Sequence, residues 1–230
     1  MGRNIDYKDL GLIDYKECWD LQKETLSKRI NGEIHDTFYL LEHPHTYTIG
    51  KNAGRENLLA TEEFINRHGI AIYDIERGGD ITYHGPGQIV GYPIINLTER
   101  GRSARNYVTS LEEVIIRVCD DFGLKAERNP INAGVWMGDS KICAIGVKFS
   151  RWVTMHGFAF NVNTDLTLFE GIVPCGIQDK GITSLQKELG LEVNIDEVKH
   201  KILRHFKDVF EYETVNECKF LISDSIVGKS

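Results

Sequence analysis

Two apolar runs, at residues 141–149 and 153–162, are joined by only a short polar turn at Ser150-Arg151. A parallel pair needs a crossover of a dozen or more residues, so these runs can pair only as an antiparallel hairpin. Around that hairpin the chain alternates between two other patterns. Val108, Leu111, Ile115, Val118 and Phe122 recur at alternating steps of three and four after Ser103. That is one apolar helix face, and Gly123 supplies its stop. Residues 14–31 predict a second helix with Cys18, Trp19, Gln22, Leu26 and Ile30 near one face. Asn194 with Glu197 three residues later predicts a third helix, with Ile195, Val198, Ile202, Phe206 and Val209 facing the core.

Phe38-Tyr39-Leu40-Leu41-Glu42 reads as a buried strand, with Thr46-Tyr47-Thr48-Ile49 as its continuation past Pro44. Residues 70–75, residues 88–95 and Val135-Trp136-Met137 add further strands. Strands grouped beside few helices, without strict alternation, predict an α+β fold with a mixed sheet flanked by helices. With no repeat, low-complexity tract or linker in view, one domain is expected over residues 1–212, and residues 213–230 read as a weakly structured tail.

Composition narrows the class. Hydrophobic residues at 41% and charged residues at 27% of 230 describe an ordinary globular chain. The N-terminus lacks a signal-peptide run, and no apolar stretch approaches membrane-span length. Cys18, Cys119, Cys143, Cys175 and Cys218 form no Cys-x-x-Cys pair and no disulfide framework. A cytoplasmic, metal-free protein without a cofactor or membrane partner is expected. The net charge of −7 argues against nucleic acid, and an acidic protein partner would need a local basic patch such as Lys148 with Arg151.

The chemistry concentrates in three places. Arg77-Gly78-Gly79-Asp80-Ile81-Thr82-Tyr83-His84-Gly85-Pro86-Gly87-Gln88 is a glycine-rich stretch that lets backbone approach a ligand closely. It reads as neither helix nor strand. No Gly-Lys-Ser/Thr follows, so it is not a phosphate-binding P-loop, and a strand rather than a helix comes next, so it is not a dinucleotide fingerprint. Cys175 stands between Pro174 and Gly176, a constrained and accessible setting that suits a nucleophile. Lys141 opens the first arm of the hairpin, where its charge would favour a thiolate over a thiol. Taken singly, Lys141 also fits a solvated strand-edge lysine, and the glycine-rich stretch also fits a plain inter-strand turn. Cys18, Cys119 and Cys143 read as buried small hydrophobes. His43, His45, His84 and His156 make no recognised metal spacing and read as hydrogen-bonding groups around a pocket; His35, His68, His200 and His205 read as surface residues.

The string Arg-Gly-Gly-Asp-x-Thr-Tyr-His-Gly-Pro-Gly-Gln resembles the signature loop of the lipoyl(octanoyl) transferases, the LipB family. The block from Leu41 to Gly50, the strings Lys141-Ile142-Cys143-Ala144-Ile145-Gly146 and His156-Gly157-Phe158-Ala159-Phe160-Asn161, and Ile172-Val173-Pro174-Cys175-Gly176-Ile177 with Ile182-Thr183-Ser184-Leu185 match the family's other motifs in order. The resemblance runs from about residue 5 to about residue 210.

It implies a biotin/lipoate protein ligase-like catalytic domain acting by ping-pong transfer. Cys175 would take an octanoyl group from octanoyl-acyl carrier protein as a thioester. A lysine of a lipoyl domain, on a 2-oxoacid dehydrogenase or the glycine-cleavage H protein, would then take it as an amide. Lys141 would favour the Cys175 thiolate and, once acylation has removed that charge, accept the proton of the incoming amine. The resemblance also implies that substrate is contacted by Arg77, Gly78, Gly79, Asp80, Ile81, Thr82, Tyr83 and His84, by Ala144, Ile145 and Gly146, and by Gly157, Phe158 and Ala159. Amides of Gly78, Gly79 or Ile145 are candidates for an oxyanion hole. A monomer is expected. Two other readings share these features: an ATP-dependent lipoate or biotin protein ligase, which needs no cysteine nucleophile, and a non-catalytic protein that binds lipoyl or acyl carrier domains.

Overall fold

The structure, a computed structural model, describes residues 3–51, 54–173 and 181–218. In chain order the elements are β1 (Asn4–Leu12), α1 (Tyr15–Ile30), β2 (Asp36–Glu42), β3 (Thr46–Ile49), α2 (Glu62–His68), β4 (Ala71–Asp74), β5 (Thr82–His84), β6 (Gln88–Ile94) and α3 (Ala104–Asp121). There follow β7 (Glu127–Arg128), β8 (Gly134–Met137), β9 (Ser140–Ser150), β10 (Val153–Asn161), β11 (Gly181–Ile182), α4 (Leu185–Leu189), α5 (Ile195–Val209) and β12 (Thr214–Glu217).

Among the described residues the strands form two sheets. The larger runs β12-β1-β2-β6-β10-β9-β8-β7 with β11 beside β9, and the smaller runs β4-β3-β5. In the larger sheet β1 is parallel to β2 and β12, and β11 is parallel to β9. The other neighbours are antiparallel, so the sheet is mixed as expected. The β9–β10 hairpin sits inside it. Its two turn residues, Arg151 (φ 49°) and Trp152 (φ 64°), are both left-handed, the backbone of a type I′ turn whose twist matches the strands it joins.

Strand alternation divides the core. Phe38, Leu40, Ile89, Phe158 and Phe160 face α3 and α5, where they meet Leu111, Ile115, Val198, Ile202 and Phe206. Tyr39, Leu41, Val90, Tyr92, Met155 and Ala159 face α1 with its Cys18 and Leu26. Phe206 stacks on Phe38 at 4.1 Å between centroids and on Phe210 at 4.4 Å. Burying a side chain of that size contributes roughly 1.5–3 kcal/mol. Side chains cap the three long helices: Asp14 accepts from the amides of Lys16 and Glu17, Ser103 from Asn106, and Asn194 from Asp196 and Glu197. Each cap is worth about 1 kcal/mol. Asn194 and the core face around Val198, Ile202 and Phe206 stand as expected from the sequence.

Three expectations are corrected. Thr46–Ile49 does not continue β2; it is the central strand of the smaller sheet, paired with β4 and β5. Pro44 has no amide to donate to a ladder, and the chain leaves the larger sheet there. Part of the glycine-rich stretch, Thr82–His84, is strand, because Ile81 and Tyr83 pack into a core with Tyr47, Ile49 and Phe169. Thr214–Glu217, placed in the tail from sequence, pairs in parallel with β1. The N-terminal strand β1, with α2 and α4, also goes beyond the sequence reading. Residues 219–230 lie outside the described residues.

Candidate active site

The two sheets meet at a cleft of about 520 Å³, open at its mouth. Its walls are Tyr15 from the start of α1, Arg77, Gly79, Asp80, Ile81, Thr82 and His84 from the glycine-rich loop and β5, and Tyr92 from β6. The opposite wall is Lys141, Ala144, Ile145 and Gly146 from β9 with His156, Gly157, Phe158 and Ala159 from β10. Ala144 pairs with Ala159 and Gly146 with Gly157. The hairpin therefore offers a floor of small residues, as an acyl slot needs. A side cavity of about 310 Å³ shares Thr82, Lys141, Ala144 and Ala159 with the cleft and reaches Gln88, Asn161, Phe169 and Ile182.

The glycine-rich loop is pinned rather than loose. Arg77 is 7% exposed; its Nη2 donates to the Thr48 carbonyl and to Thr48 Oγ1, both at 2.9 Å, and its Nη1 to the Gly78 carbonyl at 3.1 Å. Gly79 takes φ 88°, a conformation that suits glycine. A Cβ on Gly146 would stand 2.9 Å from Arg77 Cδ and 3.2 Å from the Gly78 carbonyl, so the close approach of loop to hairpin depends on that glycine. The Gly78 amide is spent on the Val147 carbonyl at 3.2 Å, which removes it from the oxyanion candidates. Asp80 accepts from its neighbour's amide, Ile81, at 2.7 Å and from Asn57 Nδ2 at 2.8 Å.

Behind the loop lies a hydrogen-bond relay. Gln88 Nε2 donates to the Tyr83 carbonyl at 3.1 Å and to Asn161 Oδ1 at 2.9 Å, leaving Gln88 Oε1 to accept from His84 Nδ1 at 2.9 Å. That pattern assigns the His84 proton to Nδ1. Asn161 Nδ2 donates to the Thr183 carbonyl at 3.0 Å, and the Thr183 amide donates to the Lys141 carbonyl at 3.0 Å. His43 donates from Nδ1 to the Ile13 carbonyl at 2.8 Å, and its Nε2 meets Tyr92 Oη at 2.9 Å. Burial pushes His43 down to about 4 and His156 to about 3, the latter helped by Arg77, and holds His84 well below the ordinary histidine value. All three imidazoles are neutral at pH 7.

Lys141 is 6% exposed, at the cleft end shared with the side cavity. Its Nζ lies 4.8 Å from the centroid of the Trp136 ring. Pro174 to Lys180, and Cys175 with them, lie outside the described residues. Both flanks are described. The Val173 amide donates to the Asn57 carbonyl at 2.8 Å, and Asn57 also holds Asp80 in the cleft wall. Gly181 and Ile182 pair with Ser140 and Lys141.

Every predicted contact residue among those described lines the cleft except Gly78 and Tyr83. Tyr83 is fully buried in the smaller sheet's core and bonds His45 Nδ1 through its hydroxyl at 2.8 Å. Tyr15 and Tyr92 line the cleft unannounced; Tyr15 extends the Cys18–Gln22 helix face by one turn, which was the signal available for it. Of the pocket histidines, His43, His45 and His84 hydrogen-bond as expected, whereas His156 is held through its backbone amide. Cys18, Cys119 and Cys143 are fully buried, and burial raises all three thiols, Cys119 to about 12. Lys148 is ion-paired with Glu76, so the expected basic patch is partly neutralised. Among the described residues no cluster of His, Cys, Asp and Glu could hold a metal ion, and no helix is long and apolar enough to cross a membrane.

The family model of the lipoyl protein ligase A/B catalytic domain matches residues 14–207. An octanoyltransferase of Christiangramia forsetii is 47% identical over 93% of this chain and 98% of its own. One of Rubrobacter xylanophilus is 51% identical over 86% and 90%. In fold, a crystal structure of lipoate-protein ligase A bound with ATP superposes with a TM-score of 0.74 at 15% identity, over 96% of this chain and 90% of that one. The chain belongs to the lipoyl protein ligase A/B catalytic-domain family, among the octanoyltransferases.

Proposed function

We propose that the protein transfers an octanoyl group from octanoyl-acyl carrier protein, through a thioester on Cys175, to the target lysine of lipoyl domains. One observation carries the reading: a nearly buried lysine, Lys141, stands in an apolar cleft. Its own strand hydrogen-bonds the chain that resumes directly after the Cys175 segment. The relatives' shared name, octanoyltransferase, supports the acyl group.

The chemistry balances without an external energy source. The Cys175 thiolate attacks the thioester carbonyl of octanoyl-acyl carrier protein, and the carrier's pantetheine sulfur leaves as a thiol by taking the proton of the Lys141 ammonium, which leaves Lys141 a neutral amine. This exchanges one thioester for another. The lipoyl-domain lysine then attacks the enzyme thioester, its surplus proton passes to Lys141, and the Cys175 thiolate leaves as the amide forms. A free thiol is only a few per cent ionised at neutral pH, so a lysine ammonium nearby raises the nucleophile's population. A cleft walled by Ala144, Gly146, Gly157 and Ala159 gives the chain a water-poor bed. The protein acts as a monomer, with the acyl carrier protein and the lipoyl domains of 2-oxoacid dehydrogenases or the glycine-cleavage H protein as its successive partners.

The test is a transfer assay with octanoyl-acyl carrier protein and a lipoyl domain, with and without ATP. Equal transfer in both is expected. Transfer only from free octanoate plus ATP would make the protein a ligase instead, and no transfer from either donor would leave a binding protein.

A further inference from the structure

β9 carries one residue more than β8 between two of their pairs. Val135 stands opposite Cys143 and Trp136 opposite Lys141, so Ile142 is left over and the ladder bulges there. The extra residue decides which way Lys141 points. On β9, Cys143 belongs to the core beneath α3 and α5, with Ile145, Val147 and Phe149 packed against it. Strict alternation would send Lys141 into that core and Ile142 into the cleft. The bulge reverses both: Ile142 is fully buried in the core, and Lys141 lines the cleft.

The Lys141 stem rests on Gly134, the first residue of β8. A Cβ on Gly134 would stand 3.5 Å from both Lys141 Cδ and Cε, and 2.5 Å from the Cys143 carbonyl. Its φ of 128° is backbone that glycine adopts freely and other residues do not. The Gly134 amide donates to Glu112 Oε1 of α3 at 3.0 Å. Glu112 is 6% exposed, and its Oε2 lies 3.4 Å from Arg128 Nε of β7. Arg128 is held in turn by Glu113 and by the Thr109 carbonyl at 3.3 Å. Burying a carboxylate costs heavily unless it is paired and hydrogen-bonded, and both Glu112 oxygens are spent on β7 and β8. Glu112 lines neither the cleft nor the side cavity.

We propose that Glu112 is the positioning residue of Lys141: by holding the Gly134 amide it fixes the start of β8 against β9 and keeps the bulge that aims the lysine into the cleft. The inference rests on the reading that Lys141 sustains the Cys175 thiolate and moves the protons of transfer. Without the carboxylate, the Gly134 amide is a buried donor with no partner. A glycine backbone turns readily to find one, and the seat of the Lys141 stem turns with it. A displacement of roughly 1 Å at a reacting group is enough to cost about a hundredfold in rate.

The experiment measures single-turnover octanoylation of Cys175 by octanoyl-acyl carrier protein in wild type, Glu112→Ala, Glu112→Gln, Lys141→Ala and the Glu112→Ala/Lys141→Ala double variant. The rate constant, unlike the amplitude, does not depend on how much of each preparation is folded. Glu112→Ala is expected to lose about a hundredfold in the maximal rate constant, with the half-saturating donor concentration unchanged. Glu112→Gln keeps an oxygen for the Gly134 amide and should recover most of that loss. In the Lys141→Ala background, Glu112→Ala should cost nothing more, because a residue acting through Lys141 has nothing to position once the lysine is gone. A wild-type rate constant in Glu112→Ala, an equal loss in the alanine and glutamine variants, or a full further loss in the double variant overturns the proposal. A wild-type rate constant in Lys141→Ala overturns instead the reading on which it rests. If Glu112→Ala does not fold, Glu112→Asp, one methylene short of the amide, decides: a slower rate constant at unchanged half-saturation supports the proposal, and the wild-type value overturns it.

Discussion

Lys141 and Trp136 are cross-strand partners on β9 and β8, and the lysine Nζ lies 4.8 Å from the indole centroid. A register irregularity between Val135 and Trp136 sets that pairing. The ring is 2% exposed and anchored by an Nε1 hydrogen bond to the Asn132 carbonyl at 3.2 Å. An indole face attracts an ammonium, and a desolvated contact of this kind is worth about 1–2 kcal/mol. Trp136→Leu is expected to slow single-turnover octanoylation of the enzyme by roughly five- to thirty-fold. Trp136→Phe, which keeps a weaker aromatic face, should retain more of the rate. Equal rates in the leucine and phenylalanine variants would show that the ring acts only by filling space.

Gly146→Ala tests the approach of loop to hairpin. The added methyl would meet Arg77 Cδ and the Gly78 carbonyl. Overpacking of this kind costs about 1–3 kcal/mol. The expected outcome is a lower melting temperature together with at least a tenfold loss of kcat/KM for octanoyl-acyl carrier protein. Full activity in this variant would place the acyl chain elsewhere.

Asn57 links the chain entering the Cys175 segment to the cleft wall, through its carbonyl to the Val173 amide and its Nδ2 to Asp80. Asn57→Ala keeps the first bond and removes the second. Loss of one hydrogen bond to a carboxylate should destabilise the fold by only about 1.5–3 kcal/mol. The transfer rate should fall by more than thermal stability alone explains at a temperature where the variant is fully folded. Wild-type kinetics would dissociate Asp80 from the site.

The buried histidines give stability a pH dependence of known sign. His43 is lowered from 6.5 to about 4, so between those values the unfolded chain binds the proton that the folded protein refuses. The contribution is intact above about pH 6.5 and is lost as pH falls toward 4, amounting to about 3 kcal/mol over the window. Denaturant titrations at intervals from pH 7 to pH 4 should therefore show a flatter slope for His43→Gln than for wild type. A parallel pair of curves would contradict the assignment.

The sequence carried the strongly periodic parts of this fold and lost the parts set by partners. The β9–β10 hairpin and the faces of α3 and α5 were legible because their apolar spacing is unbroken. β1 and β12 were not, since half-exposed strands rich in Asn, Asp, Lys and Glu carry little apolar signal; β1 exists by pairing with β2 and β12, and β12 by pairing with β1. The cleft's loop and hairpin residues were legible as motifs. Tyr92 was not, because it reaches the cleft only through the order of strands in the sheet. Nor was the fate of the Gly78 amide, which depends on where Val147 falls along β9. The left-handed backbone of His156 leaves no mark in its own residue type.

The central claim is a covalent octanoyl-enzyme on Cys175. Intact-mass measurement after incubation with octanoyl-acyl carrier protein, without ATP, tests it most directly. Wild type should gain the mass of one octanoyl group, discharge it on addition of a lipoyl domain, and show no adduct as Cys175→Ala. An undiminished adduct on Cys175→Ala, or none on the wild-type protein, would contradict the account.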